Sequence, residues 1–484
     1  MLNLKKVHII GIGGCASSAI AEYLVKNNII VTGSEQKKRE DLKYLENLNI
    51  QIEYNHKKEN LYINNIKPDI VLYSPAVFSL NPNNPEIKEA KERDIPLLSW
   101  QQFIGEYFHS KGYNGITVSG SEGKGTTAGI LTMILKGTEF DPLSILGAKL
   151  KNINGENSNI YIGKGKCFIL EGDEFNRNFY NYRPSINITI NFQFEHPETY
   201  KDFNDYQDAF YNFFSQMKEP KILILKATET LKKFIRKYNL ESTHKIIWFG
   251  TEEEIKEIKS ENIAIITDYK ISINGISFIL IYKDKKYPFE LKFLPGYIIN
   301  NATGAIIAAF ELGLDFEIIK KNINNFTGMV RRFELFKTKN NGIIITDYGH
   351  SPESLNHIIK EIRLLFPDKK LHTVFQPHLF SRTYNFFHEF IEALKKSDRV
   401  SLIDVYPARE KEEEWIDKVS SYKIYEELKK SGCSVYYAGK SSDIYKNLFP
   451  YINENEITCF IGAGDMDRYY GEILKELDAK DFWD

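Results

Sequence analysis

Thr117-Val118-Ser119-Gly120-Ser121-Glu122-Gly123-Lys124-Gly125-Thr126-Thr127 joins a strand-like run, Gly115-Ile116-Thr117-Val118, to an apolar one, Ala128-Gly129-Ile130-Leu131-Thr132-Met133-Ile134-Leu135. Strand, glycine loop, lysine, hydroxyls and helix come in the order that builds a phosphate cradle. Glycines let backbone N–H groups approach phosphate oxygens, and a helix N-terminus adds positive potential. Lys124 suits the outer phosphates, and a threonine hydroxyl suits a metal ion. The strict pattern G-x-x-x-x-G-K-[ST] is departed from twice: Val118 holds the place of its first glycine, and Gly125 that of the Ser or Thr. A plain strand–turn–helix connection also favours Gly and Ser. The loop alone leaves both a nucleotide site and a plain turn open.

The 484 residues allow about three domains. Hydrophobic residues make up 42%, enough for real cores, and charged residues 26% with a net charge of only -2. That balance gives no reason to expect nucleic acid or an anionic membrane as partner. Cys15, Cys167, Cys433 and Cys459 are scattered, without a C-x-x-C pair, so neither a zinc site nor a disulfide framework is indicated and reduced, cytosolic thiols are expected. Lys5-Lys6 before Val7 to Cys15 has the outline of a leader. His8 and three glycines make it a poor apolar segment, so a folded first strand is expected. No run approaches the about 18 apolar residues of a membrane helix.

Along the chain, strands alternate with helices. Val7 to Ile12, Asn28 to Thr32, Ile70 to Tyr73 and Pro96 to Leu98 are expected as strands, with helices over Ala16 to Lys26 and Glu86 to Arg93. The pattern restarts at Gly115 and continues through Cys167 to Leu170, Asn187 to Ile190, Ile222 to Leu225 and Ile246 to Trp248. Ile263 to Phe293 is strand-rich, with Asn274-Gly275 as a hairpin turn, and a helix follows over Ala302 to Leu312. A third segment offers strands at Gly342 to Thr346, Leu371 to Phe375, Val400 to Ile403, Ser434 to Tyr437 and Thr458 to Ile461. Its C-terminal Asp-Phe-Trp-Asp is expected to fray. Such alternation predicts an α/β chain with parallel sheets.

Several motifs fall at strand ends, where parallel sheets bind ligands. Gly11-Ile12-Gly13-Gly14 suits a diphosphate, with Ala16 at the third glycine of G-x-G-x-x-G and Glu35 placed for a ribose hydroxyl. The bland alternative is a glycine turn opening a helix. Glu171-Gly172-Asp173-Glu174 suits Mg²⁺, against a solvated acidic turn. His196, after Asn191-Phe192-Gln193-Phe194-Glu195, ends a strand of the same inferred sheet and is a second metal or phosphate ligand, although a lone histidine is more often structural. Arg331-Arg332-Phe333-Glu334 suits a phosphate clamp at a domain junction, against ordinary surface charge. Asp347-Tyr348-Gly349-His350-Ser351-Pro352 and Gln376-Pro377-His378-Leu379-Phe380-Ser381-Arg382-Thr383 end the next two strands.

Taken together, and over nearly the whole chain, these motifs resemble the Mur ligase family, which makes amide bonds in peptidoglycan precursors through an ATP-driven acyl phosphate. The resemblance implies an α/β fold of three domains. Residues 1–112 would be a Rossmann-like UDP-sugar domain, carried by Gly11 to Gly14, Thr32-Gly33-Ser34 and Asn84-Pro85-Glu86. Residues 113–327 would be a central P-loop ATPase domain with a mostly parallel sheet plus a small antiparallel sheet. Residues 328–484 would be a Rossmann-like amino-acid-binding domain. Arg331-Arg332-Phe333-Glu334, Phe375-Gln376-Pro377-His378, Tyr406-Pro407-Ala408-Arg409-Glu410 and Gly462-Ala463-Gly464-Asp465 are similar to the branch that adds L-alanine to UDP-N-acetylmuramate. Glu171-Gly172-Asp173-Glu174 and Tyr182-Arg183-Pro184 are similar to the branch that recycles murein tripeptide.

The departures are local. The family loop G-T-H-G-K-T-T has Glu122 in place of His and Gly125 in place of the first Thr. Lys-Gly-Ser order, similar to that of folylpolyglutamate synthases, moves the metal hydroxyl to Thr126. Glu122 sets a negative charge near the expected polyphosphate. The adenine-side motif shortens to Gly296-Tyr297-Ile298-Ile299-Asn300-Asn301-Ala302, Asp-His becomes Glu195-His196, and His-His becomes His350-Ser351.

The resemblance also implies roles. Gly120, Ser121, Gly123, Lys124, Gly125, Thr126 and Thr127 would hold ATP, with Asn301, Arg332 and Asp347. Thr126 and Glu174 would hold one Mg²⁺ and His196 a second. Gly11, Gly13, Gly14 and Ser34 would hold UDP-N-acetylmuramate, while His350, His378 and Arg382 line the site of the amino acid or short peptide. Lys124, His196, Arg332 and His350 would be the catalytic set, Arg332 stabilising the transferring group. Domain closure would exclude water from the acyl phosphate. The expected protein is a cytoplasmic monomer or homodimer. A non-catalytic relative that binds a nucleotide sugar stays open, and so does a NAD-linked oxidoreductase resting on Gly11 to Gly14 alone, which leaves Lys124, Glu174 and His196 without a role.

Overall fold

The computed structural model describes residues 4–38, 42–153, 155–292, 295–408, 410–415, 417–453 and 455–482. Arg409, the Phe293 end of the expected strand-rich run, Trp483 and Asp484 lie outside the described residues. The chain divides into two compact units. One comprises Met1–Lys270, Ile276–Leu291 and Tyr297–Thr327; the other comprises Ile271–Gly275, Lys292–Gly296 and Gly328–Asp484.

The first unit holds two sheets. β1 (Lys6–Ile10), β2 (Ile30–Glu35), β3 (Gln51–Tyr54), β4 (Ile70–Tyr73) and β5 (Leu97–Ser99) form a parallel sheet in the order β3-β2-β1-β4-β5. Lys6–Ile10 is buried along its whole length at the centre of this sheet, because Val7, Ile9 and Ile10 pack on helices on both faces. The strand order reverses between β1 and β4, which opens a crevice at their carboxyl ends. Gly11 turns there at φ +74, and a Cβ on it would come 2.6 Å from Val77 Cγ2. Its N–H and that of Ile12 donate to the Ser34 carbonyl.

The second sheet has ten strands: β6 (Asn114–Ser119), β7 (Leu143–Leu150), β8 (Ser158–Ile162), β9 (Cys167–Glu171), β10 (Ile186–Thr189), β11 (Ile222–Lys226), β12 (Lys245–Thr251), β13 (Ile263–Ser272), β14 (Gly275–Tyr282) and β15 (Lys285–Leu291). Their order is β15-β14-β13-β12-β11-β10-β6-β9-β7-β8. β6 pairs in parallel with β9 on one side and β10 on the other. The loops after these three strands therefore leave from one sheet edge side by side. β14 and β15 pair antiparallel and extend the same sheet. The helix Lys124–Leu135 is buried from Thr127 to Leu135, between the sheet and the helix Ile298–Glu311. That position explains an apolar run without an amphipathic stripe.

In the second unit, β16 (Glu334–Lys337), β17 (Ile343–Asp347), β18 (Leu371–Phe375), β19 (Arg399–Ile403), β20 (Val435–Gly439), β21 (Ile457–Ile461) and β22 (Lys480–Asp481) take the order β20-β19-β18-β21-β17-β16-β22. Only β16 runs against its neighbours β17 and β22. The expected fraying of the C-terminus is corrected up to Phe482. Lys480 and Asp481 pair with Lys337 and Phe336, and the Phe482 N–H donates to the Leu335 carbonyl. Among the described residues, no helix is long and apolar enough to cross a membrane.

Candidate functional site

The loop after β6 is built by backbone geometry that only glycine accepts easily. Gly120 sits at φ +109, where a Cβ would meet the Asn191 carbonyl at 2.3 Å. Gly123 sits at φ +81 as N-cap of the helix Lys124–Leu135, where a Cβ would meet Asn301 Nδ2 at 2.5 Å. Two asparagines hold the loop from outside. Asn191 Oδ1 accepts from the Glu122 N–H at 2.8 Å and from Ser121 Oγ at 2.9 Å. Asn301, buried, donates to the Gly123 carbonyl at 3.1 Å. The expected nucleotide ligand Asn301 is thus a prop of the loop in this structure. Gly125 and Thr126 follow in the first helical turn, both half-buried, and Thr127 is buried with no hydrogen-bond partner for its hydroxyl among the described residues.

Lys124 Nζ donates to the carbonyls of Gly120 (2.7 Å) and Ser121 (3.2 Å) and pairs with Glu174 Oε1 at 3.0 Å. Burial works against its charge, but the carboxylates of Glu174, Glu195 and Asp173 outweigh that and hold its pKa above the usual lysine value. Glu174 is fully buried. Burial pushes its carboxyl up, Lys124 pulls it down, and the net shift is upward. His196, at φ +57, turns Nε2 to 3.6 Å from Glu174 Oε1 and 3.9 Å from Glu195 Oε2. Glu174, Glu195 and His196 each offer a donor atom within 4.8 Å of the others. Among the described residues no donor reaches Glu174 Oε2. A buried carboxylate oxygen without a partner, beside a second carboxylate and an imidazole, is a donor set that fits Mg²⁺.

At the first sheet, Gly13 and Gly14 lie half-buried beyond Gly11. The Gly13 N–H donates to Glu35 Oε2 at 3.0 Å, so Glu35 closes onto the glycine loop. Ser34, expected at the sugar nucleotide, turns its side chain to Glu86. Ser34 is buried, and its hydroxyl donates to Glu86 Oε2 at 2.7 Å. Glu86 also receives His8 (3.0 Å), His56 (3.1 Å) and Asn60 (2.9 Å). Burial alone would raise the Glu86 carboxyl. Hydrogen bonds from His56 and His8, the His8 charge and the Ser34 hydroxyl bring it down to about 2. What Ser34 offers the glycine loop is its carbonyl.

In the second unit the two arginines of Arg331-Arg332 part company. Arg331, at φ +60, pairs with Asp467 at 3.0 Å and donates to the carbonyls of Gly462 and Gly464. Arg332 is exposed and lies over the Tyr348 ring, 5.1 Å from its centroid. Asp347, expected at the nucleotide, is buried, and its oxygens take the N–H groups of Phe333 (2.8 Å) and Gly349 (2.6 Å). In this structure it holds the Arg331–Phe333 turn against β17. His350, His378 and Arg382 do come together. The two imidazole rings are 6.0 Å apart, Arg382 Nη1 is 3.2 Å from His378 Nδ1, and His378 stacks on Tyr406. Burial, then the Arg382 charge, lowers His350 to about 3 against the pull of the Tyr348 carbonyl, with His378 and Arg332 adding to the fall. Its Nδ1 lies 3.1 Å from that carbonyl, so Nδ1 carries the proton of the neutral ring and Nε2 has the lone pair.

Sequence reasoning set Asn191 and Glu171 at this edge without giving either a role of its own, and left Glu195 outside the metal set. The signal was available for Asn191: it directly follows a strand that neighbours β6. Glu171 ends β9 in the same way.

Three family models match the chain: "Mur ligase family, catalytic domain" over residues 6–111, "Mur ligase middle domain" over 118–309 and "Mur ligase, glutamate ligase domain" over 331–464. The UDP-N-acetylmuramate–L-alanine ligase of Aquifex aeolicus is 31% identical over 99% of both chains, and that of Clostridium tetani 33% identical over 98% of both. Among solved structures, the UDP-N-acetylmuramate–alanine ligase of Thermotoga maritima superposes with a TM-score of 0.79 at 24% identity, covering 98% of this chain and 99% of that one. The relatives are matched over almost their full length and the three family models follow one another along the sequence, and the chain belongs to the Mur ligase family.

Proposed function

We propose that this Mur ligase joins L-alanine to the lactyl carboxylate of UDP-N-acetylmuramate at the expense of ATP, in cytoplasmic peptidoglycan precursor synthesis. The observation that carries the reading is its near-complete coverage of curated relatives named for that reaction. In the reaction a carboxylate oxygen attacks the γ-phosphorus of ATP as its bond to the β-phosphate oxygen breaks, giving an acyl phosphate and ADP. The amino group of alanine then attacks the acyl carbon, phosphate leaves and the amine proton is lost.

The residues support a division of labour. Gly120, Ser121, Gly123, Gly125 and Thr127 supply the loop, and Lys124 faces the β- and γ-phosphates with a charge fixed by Glu174. Thr126, Glu174 and His196 would hold Mg²⁺, with Glu195 added from the structure. The ion would supply positive charge for the phosphate oxygens. Gly11, Gly13 and Gly14 serve the diphosphate of the sugar nucleotide. Arg332 is kept for the charge of the transferring group, and His350, His378 and Arg382 for the amine substrate, where the neutral Nε2 of His350 can accept a hydrogen bond from it. The three-way division at 112/113 and 327/328 remains part of this proposal.

The test is phosphate release from ATP with UDP-N-acetylmuramate and one amine at a time. Stimulation by L-alanine above glycine, L-serine and murein tripeptide is expected. Stimulation by tripeptide alone transfers the chain to the recycling reaction, to which Tyr182-Arg183-Pro184 is similar. No stimulation by any of them sinks both.

A further inference from the structure

Position 125 is glycine where the strict phosphate-loop pattern has Ser or Thr, and its surroundings give a physical reason. A Cβ built on Gly125 would stand 3.0 Å from Glu171 Oε1. A Cβ on Gly147 would stand 2.7 Å and 3.0 Å from the two oxygens of the same carboxylate, which also accepts the Gly147 N–H. Glu171 therefore lies between two glycines that have no side chain to displace it. Gly147 belongs to the stretch of β7 between Ile145 and Leu150 where pairing with β8 shifts register. The carbonyls of Leu146 and Gly147 accept from Cys15 Sγ at 3.5 and 3.4 Å, and Asn159 Nδ2 lies 3.1 Å from the same sulfur. Cys15 opens the helix that follows Gly11-Ile12-Gly13-Gly14. A continuous path thus runs from the lysine loop through Glu171 and Gly147 to the glycine loop of the first sheet, all within one compact unit.

We propose that Glu171 is a positioning residue: its carboxylate, wedged between Gly125 and Gly147, sets the spacing of the two glycine loops, and position 125 is glycine to leave it room. The inference rests on the reading that the Lys124 loop holds nucleotide phosphates. The register shift in β7 frees backbone groups of Leu146 and Gly147 from the ladder, so they are available to Cys15 and Glu171. A carboxylate beside the first turn of a helix is also favoured by the helix dipole.

The experiment is a double-mutant cycle on the full chain with Gly125→Ala, Glu171→Ala and the pair, plus Glu171→Gln. It reads KM for ATP and for UDP-N-acetylmuramate, kcat, and binding of ADP with Mg²⁺ by calorimetry. Alanine is the better helix former, so Gly125→Ala keeps the fold. Each single variant is expected to raise both KM values about five- to tenfold with a smaller change in kcat, and the pair to be no worse than the poorer single. Glu171→Gln, whose amide oxygen can still accept the Gly147 N–H, is expected to stay within about twofold of the parent. Effects that multiply in the pair, or a Glu171→Ala enzyme with unchanged KM values, overturn the proposal. A parent protein that binds no ADP overturns the nucleotide reading as well, whereas a parent that binds it while the pair multiplies removes only the role of Glu171.

Discussion

Two buried polar centres, one in each unit, solve opposite problems. At the edge of the second sheet a lysine is kept charged: Glu174, Glu195 and Asp173 outweigh the cost of burial at Lys124. In the other unit an imidazole is kept neutral: burial and the Arg382 guanidinium both remove the charge from His350, to about 3. A group that must meet phosphate needs a fixed positive charge. A group that must accept a hydrogen bond from an amine needs a free lone pair at neutral pH. Burial disfavours charge at both centres, and the sign of the neighbouring charges decides which of the two keeps it.

The strongest way to break the comparison is at Lys124. Lys124→Met is expected to lower turnover about a thousandfold. It also leaves Glu174 buried without its cation, so urea unfolding should show a loss on the order of 3 kcal/mol. Adding Glu174→Gln should restore much of that stability and none of the turnover. Recovery of turnover in the pair would mean that Lys124 serves only to balance Glu174.

The contrast sharpens at His350. His350→Gln is expected to lower kcat/KM for the amine about a hundredfold while leaving KM for ATP in place. In the parent, the His350 ring should remain neutral by NMR from pH 8 down to about pH 4, as follows from its lowered pKa of about 3. Arg382→Met removes a neighbouring cation, so the titration should move upward. A titration that does not move would assign the whole shift to burial.

The smallest effect concerns Glu86, which belongs to neither centre. Its carboxyl is lowered to about 2 in the fold, below the usual value of 4.5. A depressed carboxyl stabilises the fold above the unfolded value and loses that contribution as pH falls through the folded one. Unfolding free energy should therefore decline by an amount on the order of 3 kcal/mol between about pH 5 and pH 2, a decline that Glu86→Gln should remove. An unchanged acid profile in that variant would place the loss at other carboxylates.

Much of the fold was legible because its strands are short, apolar and bounded by turn residues. Ile70–Tyr73 and Leu371–Phe375 begin and end where their hydrophobic runs do. Less legible were β7 and β8, whose register shift and the glycine at 147 interrupt the pattern, and the start of the helix Ile298–Glu311, one turn before the expected Ala302, with no side-chain cap to announce it. Of the site, Lys124, Glu174 and His196 could be found because each follows a strand of one sheet. The fates of Ser34 and Asp347 could not. Their side chains are taken up by Glu86 and by the N–H groups of Phe333 and Gly349, partners that only the folded chain brings near.

The pairing of Lys480 and Asp481 with β16 has a consequence for how the protein behaves in concentrated solution. Without it, β16 would present an open row of N–H and C=O groups, a template for a second copy or an unfolded chain. Two residues, both charged, cover part of that row, so the last strand protects the sheet from association more than it enlarges it.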